Sequence, residues 1–187
     1  MSELRAEKKA LRRTLRERAS ALTDAYRRDA DAAIRRAVLT SEAWRDARTV
    51  FAYVSMRQEP DTRALLSDAL KAGKALYVPL CRADGTMEAV RIRSTAELKP
   101  GLRGIPEPPA DAERLGDGGA DLAIVPCVSA TRDGKRLGHG AGYYDRFLAS
   151  HPCWTLCLCY EMLLSEELPT DGYDVSMDAV ATENGIF

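Results

Sequence analysis

The chain has 187 residues, of which 45% are hydrophobic and 29% charged, a composition typical of one globular domain or two small ones. Its 27 basic and 28 acidic residues give a formal net charge of -1. This balance argues against a general nucleic-acid binder, because such proteins usually carry a basic excess. The sequence has no run of about 18 apolar residues, so we expect no membrane-spanning helix, and its first residues lack the apolar segment of a secretory signal.

The N-terminal segment, residues 1–47, is predicted to be helical. Leucines recur near the spacing of one helix face, a second helix is expected after Thr23, and a short third one from Ser41. Lys8 and Arg12 are four residues apart and therefore point in the same direction from the first helix. They either extend along a core-facing edge, as long basic side chains often do, or serve a ligand.

Six segments rich in β-branched, aromatic and other apolar residues are predicted to be strands. They are residues 48–55, 75–81, 87–93, 121–128, 154–160 and 178–182. Helices are expected to begin at Asp61 or Thr62 and at Tyr143, whereas residues 99–119 and 130–142 are expected to be loops.

The alternation of strands and helices predicts an α/β protein. We expect a single three-layer α/β/α domain over residues 1–187, with a mainly parallel central sheet on which the N-terminal segment packs. Ligands in such sheets gather at the carboxyl ends of the strands. Three stretches qualify for that position: residues 55–62, residues 127–142 and the acidic tail.

Charge is unevenly distributed along this chain. Residues 1–50 carry 13 basic and 8 acidic residues, whereas residues 151–187 carry 7 acidic residues and no Lys or Arg. Two interpretations are open: solvated surfaces that attract each other weakly, or two ends that handle anionic and cationic ligands separately.

The chain has five cysteines, an odd number, which favours reduced thiols in a cytoplasmic protein. Cys153, Cys157 and Cys159 lie near His151, which raises the alternative of a zinc site. Their spacing matches no common zinc pattern, and the segment WTLCLCY is typical of a buried strand, so structural thiols are favoured.

The stretch KRLGHGAGYYDRF, residues 135–147, combines features of an anion-binding site. Gly138, Gly140 and Gly142 alternate, so the backbone can approach a ligand closely, and the following helix presents a positive N-terminus. Arg136 adds a cation suited to phosphate, and Asp145 beside a phosphate implies a bridging Mg²⁺. The pattern is neither a P-loop nor a dinucleotide fingerprint, and a tight turn without a ligand also explains the alternating glycines.

The segment DLAIVPCVSATRDGKRLGHGAGYYDRFL, residues 121–148, resembles the signature of the 5-formyltetrahydrofolate cyclo-ligase family. Further parts of the chain resemble that family in the same order. They are KKALR with Lys8 and Arg12, SMRQEPDT at residues 55–62, GIPEP at residues 104–108, and the tail with Asp174, Asp178 and AVATENG. The resemblance covers essentially the whole chain.

The resemblance implies an enzyme that converts 5-formyltetrahydrofolate to 5,10-methenyltetrahydrofolate with Mg-ATP, releasing ADP and phosphate. In the family's mechanism the formyl oxygen attacks the γ-phosphate, a neighbouring folate nitrogen closes the ring, and phosphate leaves. Alignment and charge neutralisation are the main contributions that a protein makes to such a transfer. The implied ligands are small molecules, a folate derivative and ATP, with no nucleic acid and no membrane, and we expect a monomer.

The resemblance also implies roles for individual residues. The ATP-binding positions are Lys8, Arg12, Arg136, Leu137, Gly138, His139, Gly140, Ala141, Gly142, Tyr143 and Tyr144, with Arg136 and Tyr144 catalytic. The folate-binding positions are Val54, Glu59, His139, Gly140, Ala141, Gly142 and Tyr143. The Mg²⁺ positions are Asp145 and Asp174, with Asp178 as the alternative. Each assignment competes with a structural one, such as an exposed turn acid for Glu59 or core aromatics for the two tyrosines.

Four positions depart from the family pattern: Arg103, Cys127, Ala130 and Thr131. An aromatic often precedes Gly-Ile-Pro in the family, where this chain has Arg103, although a guanidinium also stacks on flat rings. Two alternatives therefore stay open. One is a relative that binds Mg-ATP but acts on another substrate, and the other is a non-catalytic nucleotide-binding module.

Overall fold

A computed structural model describes residues 3–101, 104–116 and 118–187, with five helices and eleven strands assigned among them. The helices are α1 (Glu3–Ala21), α2 (Asp24–Thr40), α3 (Glu42–Asp46), α4 (Arg63–Lys71) and α5 (Tyr143–Ser150). The strands are β1 (Thr49–Ala52), β2 (Ala75–Cys81), β3 (Met87–Ile92), β4 (Lys99–Pro100), β5 (Pro106–Glu107), β6 (Leu122–Pro126), β7 (Ser129–Ala130), β8 (Arg136–Leu137), β9 (Trp154–Leu158), β10 (Ala179–Thr182) and β11 (Gly185–Ile186). Within these ranges no helix is both long enough and apolar enough to span a bilayer.

Seven strands form the main sheet in the order β11-β10-β9-β6-β1-β2-β3. The five from β10 to β2 are parallel to one another, and an antiparallel strand closes each edge. All five residues of β6 are buried, as expected for a parallel strand covered on both faces. The predicted α/β class with a mainly parallel sheet is therefore confirmed.

The N-terminal helices begin where their capping residues predict. The Thr23 side chain accepts a hydrogen bond from the Tyr26 backbone N–H, and Ser41 does the same for Trp44. Helix α2 buries Ile34 and contacts the β10 edge of the sheet, so the N-terminal segment packs on the rest of the chain.

Two predicted loops contain short strands. The predicted loop 130–142 includes the end of the hairpin β7–β8, and the predicted loop 99–119 includes the pair β4–β5. Strands of two residues are too short to show an alternating pattern, which is why the sequence does not reveal them. Arg103, one of the departures from the family pattern, lies outside the described residues.

The cysteines near β9 behave as structural thiols. Cys127, Cys157 and Cys159 are buried, and hydrogen bonding to the other two thiols, together with burial, raises the pKa of Cys127 well above its ordinary value. In the described part of the chain no group of three or more His, Cys, Asp or Glu residues is arranged to hold a metal ion. The raised pKa makes the Cys127 thiol a poor nucleophile and a poor metal ligand.

Thr62 connects the segment after β1 to the start of α4 through hydrogen bonds of its side chain. Its replacement is predicted to lower the stability of the protein. Its fully buried hydroxyl donates to the Tyr53 carbonyl at 2.7 Å and accepts from the Ser55 N–H at 3.1 Å. Thr62→Val keeps the shape but leaves both groups unpaired, so we expect the free energy of unfolding to fall by about 1–3 kcal/mol in urea titrations. The exposed Thr170→Val is the control, and an equal loss in both variants would contradict this account.

Candidate active site

A cavity of about 810 Å³ opens at the carboxyl ends of β1, β2 and β6. This volume is in the usual range of small-molecule sites, on the order of 300–1,000 Å³. Eight parts of the chain contribute to its wall: α1, the segment after β1, the end of β2, the region of β5, the end of β6, β8 with the turn that follows it, α5, and the acidic tail. The lining residues central to the site are Arg12, Arg16, Val54, Glu59, Glu107, Arg136, Gly138, His139, Gly140, Ala141, Gly142, Tyr143, Tyr144, Asp145, Asp171, Tyr173 and Asp174.

Arginines of α1 hold the glycine-rich turn, residues 138–142. The Arg12 Nε donates to the Gly138 carbonyl at 2.7 Å, and the Arg16 Nη2 donates to the His139 carbonyl at 3.3 Å. Gly140 has a φ of 103°, and a Cβ there would approach the Arg12 guanidinium carbon to 3.4 Å. Glycine at this position therefore permits both the backbone conformation and the close approach of α1.

Arg136 is almost fully buried at the base of the cavity. Its Nη1 donates to the Pro126 carbonyl at 3.2 Å, and its Nη2 donates to Asp145 Oδ1 at 2.5 Å. The guanidinium carbon lies 5.9 Å from the centroid of the Tyr144 ring. The site thus presents a fixed cation that is anchored from two sides.

Two buried side-chain polar atoms have no hydrogen-bond partner within the described ranges, the Arg136 Nε and the Glu107 Oε1. Both residues line the cavity. Buried polar groups in folded proteins are normally paired, so these two atoms are exceptions among the described residues. Glu107 is a site residue that the sequence analysis did not assign.

Lys8 reaches the site through the acidic tail. Its ammonium donates to Asp171 Oδ2 at 2.8 Å and to Asp174 Oδ2 at 2.6 Å. Burial of Lys8 opposes its charge, but the two carboxylates outweigh burial, so the pKa of Lys8 lies above its ordinary value. The two ends of the chain therefore meet at this site.

The two predicted Mg²⁺ positions lie close together, whereas their alternative does not. The Val175 N–H, next to Asp174, lies 3.4 Å from Asp145 Oδ1, and both aspartates line the cavity. Asp178 instead accepts hydrogen bonds from the Thr155 N–H and hydroxyl at the amino end of β9, the opposite edge of the sheet. The Asp178 carboxylate therefore stabilises the fold away from the cavity.

Glu59 is a buried carboxylate rather than an exposed turn acid. Its side chain is 4% exposed, Oε2 accepts from the Met56 N–H at 2.7 Å, and Oε1 lies 2.8 Å from His139 Nε2. The segment after β1 and the glycine-rich turn are thus joined across the cavity. Val54 lines the same wall.

The two tyrosines that begin α5 differ in their surroundings. Tyr143 donates its hydroxyl to the Arg82 carbonyl at 3.0 Å. The Tyr144 ring lies 6.2 Å from the ring of Phe51, and burial raises the pKa of Tyr144 well above its ordinary value, which keeps its hydroxyl protonated. Tyr144 therefore suits a binding or hydrogen-bonding role better than proton abstraction.

The sequence analysis also missed Arg16, Asp171 and Tyr173, which line the cavity. Arg16 lies one helical turn beyond Arg12, and Asp171 lies three residues before Asp174, so both follow from the spacing of assigned residues. Tyr173 has no such signal in the sequence.

Replacing Gly138 with alanine, the smallest possible change of side chain, is predicted to lower activity. A Cβ at this position would lie 2.7 Å from the Arg136 Nη1. We expect Gly138→Ala to displace the guanidinium and lower turnover at least ~10-fold, because small misplacements of a charged group are costly in a preorganised site. The matched control is Gly116→Ala, where φ lies outside the left-handed region and nothing lies within 4 Å of the new Cβ. Control-like turnover in both variants would contradict this prediction.

The fold and the cavity define an α/β protein with a site of small-molecule size at the carboxyl edge of its sheet. A sequence model of the 5-formyltetrahydrofolate cyclo-ligase family matches residues 4–183, and the chain therefore belongs to that family. The resemblance seen in the sequence is confirmed.

Individual relatives agree with this classification. The chain is 32% identical to a probable 5-formyltetrahydrofolate cyclo-ligase of Schizosaccharomyces pombe over 156 residues, 74% of this chain and 76% of the relative. It is 27% identical to the mouse 5-formyltetrahydrofolate cyclo-ligase over 195 residues, 95% and 94% of the two chains. The solved structure of Aquifex aeolicus 5,10-methenyltetrahydrofolate synthetase superposes with a TM-score of 0.85 at 28% identity, covering 96% of this chain and 91% of that one.

Proposed function

We propose that this chain is an ATP-dependent 5-formyltetrahydrofolate cyclo-ligase that forms 5,10-methenyltetrahydrofolate, ADP and phosphate. One observation carries the proposal: a single cavity joins the glycine-rich turn, the buried Arg136 and the buried Glu59 in a chain of this family. Groups suited to bind phosphates and groups suited to bind a polar ring thus line the same cavity. A reaction between a polyphosphate and a pterin requires both.

The phosphate side of the site is formed by α1, the glycine-rich turn and the N-terminus of α5. Arg12 binds the triphosphate from α1 while holding the turn, and the free N–H groups that begin α5 add a positive partial charge. Arg136 neutralises charge on the phosphoryl group in transfer, because it is fixed before the substrate arrives. Lys8 adds a positive charge to the same region, where its ammonium donates to the Asp174 carboxylate.

The folate side is formed by the segment after β1. Glu59 accepts hydrogen bonds from the pterin N–H groups, and its burial strengthens them because water does not compete there. Val54 supplies an apolar wall, and the turn from His139 to Tyr143 borders both substrates. The contact between Glu59 and His139 supports a folate subsite directly beside the phosphate subsite.

The mechanism implied by the family resemblance fits this juxtaposition. The formyl oxygen of the substrate attacks the γ-phosphorus of ATP and ADP leaves, which turns a poor leaving oxygen into a phosphate ester. The neighbouring folate nitrogen then attacks the activated carbon, the ring closes, and phosphate departs. The residues of the chain align the two substrates and balance the moving charge, which supplies most of the rate enhancement in phosphoryl transfer.

Asp145 and Asp174 suit a magnesium ion in this proposal. Mg²⁺ in nucleotide sites is commonly held by one or two carboxylates together with phosphate oxygens, and these two carboxylates come to one cavity from α5 and the tail. Bound Mg²⁺ would neutralise charge on the β- and γ-phosphates. In the structure the same carboxylates are paired with Arg136 and Lys8.

The proposal includes one domain over residues 1–187 that acts as a monomer in the cytoplasm. Contacts between α1 and the tail at one site support a single domain. Light scattering during size-exclusion chromatography measures the oligomeric state, and a dimer mass would contradict this part.

The decisive experiment is a turnover assay. Purified protein is mixed with Mg-ATP and 5-formyltetrahydrofolate, and formation of the methenyl product is followed by its absorbance. Turnover is expected only when both substrates and the metal are present. ATP binding without turnover would point to a relative with another substrate, and absence of ATP binding would point to a non-catalytic module.

A further inference from the structure

Two ion pairs in the site join a predicted phosphate-binding cation to a predicted metal-binding carboxylate. The Lys8 ammonium lies 2.6 Å from Asp174 Oδ2, and the Arg136 guanidinium lies 2.5 Å from Asp145 Oδ1. Two of the cations that the proposed function assigns to ATP are thus paired with the two carboxylates that it assigns to Mg²⁺.

We propose that these two ion pairs are exchanged when substrate binds: the carboxylates of Asp174 and Asp145 turn to the metal, and the Lys8 and Arg136 cations, which stay in place, pair with the phosphates instead. In this exchange each ligand frees the protein group that the other one needs. Metal and nucleotide therefore bind weakly alone and strongly together, beyond their affinity for each other in water. This inference rests on the proposed function and adds a coupling between its two ligands.

Exposure within each pair favours the exchange. The cations are nearly enclosed, with Lys8 and Arg136 side chains 10% and 2% exposed, whereas Asp174 and Asp145 are 23% and 21% exposed and line the cavity. An incoming metal ion therefore meets the carboxylates first. Their partial hydration also lowers the free energy needed to break each pair.

A second protein partner keeps each cation in place during the exchange. Lys8 also donates to Asp171 Oδ2 at 2.8 Å, and Arg136 also donates to the Pro126 carbonyl at 3.2 Å. When Asp174 and Asp145 move to the metal, neither cation is left buried and unpaired. Asp171 is in this sense a positioning residue for Lys8.

The test measures metal binding without nucleotide. Mn²⁺ replaces Mg²⁺, and the free ion is followed by its electron paramagnetic resonance signal. In Lys8→Met we expect Mn²⁺ to bind ~10-fold more tightly and ATP to bind ~10-fold more weakly than in the unchanged chain, which lies within typical coupling between sites. Lys9→Met, the same change at an exposed neighbour on α1, is the control and alters neither affinity.

Two further variants separate the exchange from other roles of Lys8. Adding Asp174→Asn to Lys8→Met must abolish the gain in Mn²⁺ affinity, whereas adding Asp171→Asn must preserve it. Arg136→Gln is expected to raise Mn²⁺ affinity through Asp145, and it decides the question if the Lys8 variant does not fold. Unchanged Mn²⁺ affinity in a folded variant of either pair overturns the exchange. Lack of turnover in the assay above instead overturns the proposed function, since the Mn²⁺ titration uses no substrate.

Discussion

Replacing Arg136 with alanine is expected to lower turnover at least ~100-fold while the chain stays folded. Removal of one fixed group that stabilises developing charge typically costs a factor of about 10²–10³. Arg136 has two protein anchors, the Pro126 carbonyl and Asp145, so its position is set before ATP binds. A preorganised cation in a cavity shielded from water has a larger effect than one at a surface.

The control for this prediction is Arg132→Ala. Arg132 lies on the same hairpin region but is exposed, pairs with Glu161 and lies 3.9 Å from the Phe187 ring centroid. Its loss removes a surface charge and leaves the cavity intact, so turnover should match that of the unchanged chain. Circular dichroism and urea titration establish that Arg136→Ala is folded before its rate is interpreted.

A charge-conserving variant separates charge from geometry at the same position. Lysine carries the charge of Arg136 but cannot reach both anchors with a planar fork, so Arg136→Lys is expected to retain only part of the rate. Turnover in Arg136→Ala equal to that of the unchanged chain would contradict the catalytic role of Arg136. Full turnover in Arg136→Lys would restrict that role to charge alone.

Local sequence patterns were sufficient for the elements that carry the site. The start of α5 at Tyr143 and the bounds of β2 agree with the predictions, because a helix start after glycine and an apolar run are features of neighbouring residues. The hairpin β7–β8 was missed because two-residue strands carry no periodic signal. Its turn is fixed by Gly134, where a Cβ would lie 2.2 Å from the Met177 carbonyl oxygen, a contact with a distant segment.

The sequence does not show which distant residues the site residues contact. Spacing alone places Lys8 and Arg12 on one side of α1, but the contact of Lys8 with Asp174 spans 166 positions. The same holds for Glu59 and His139, 80 positions apart. The family resemblance implies a role for each of these residues separately. Only the folded chain shows that the predicted phosphate-binding cations are paired with the predicted metal-binding carboxylates.

These contacts partly explain why basic residues are concentrated near one end of the chain and acidic residues near the other. Of the acidic residues in the tail, Asp171 and Asp174 face the basic helix α1, whereas Asp178 accepts hydrogen bonds at the amino end of β9. Under the proposed function, the second interpretation, two ends serving ligands of opposite charge at one site, therefore concerns only a few residues and not the whole tail.

Replacing Glu59 with glutamine is expected to raise KM for the folate ~10–100-fold and to leave KM for ATP nearly unchanged. Glutamine keeps the size of the side chain and an acceptor for the Met56 N–H, so the segment after β1 keeps its conformation. The carboxylate charge is lost, and hydrogen bonds to a charged acceptor contribute about 1.5–3 kcal/mol each, which corresponds to the expected change in affinity.

The contrast between the two substrates is what tests the role of Glu59. A purely structural role would lower stability and affect both KM values, because the contact with His139 links the folate wall to the glycine-rich turn. Glu42→Gln, the same substitution at an 89% exposed position of α3, is the control and should change neither value. Steady-state kinetics with each substrate varied at saturation of the other gives the two constants. A rise in KM for ATP as large as that for the folate would assign Glu59 to the shape of the turn and not to recognition of the pterin.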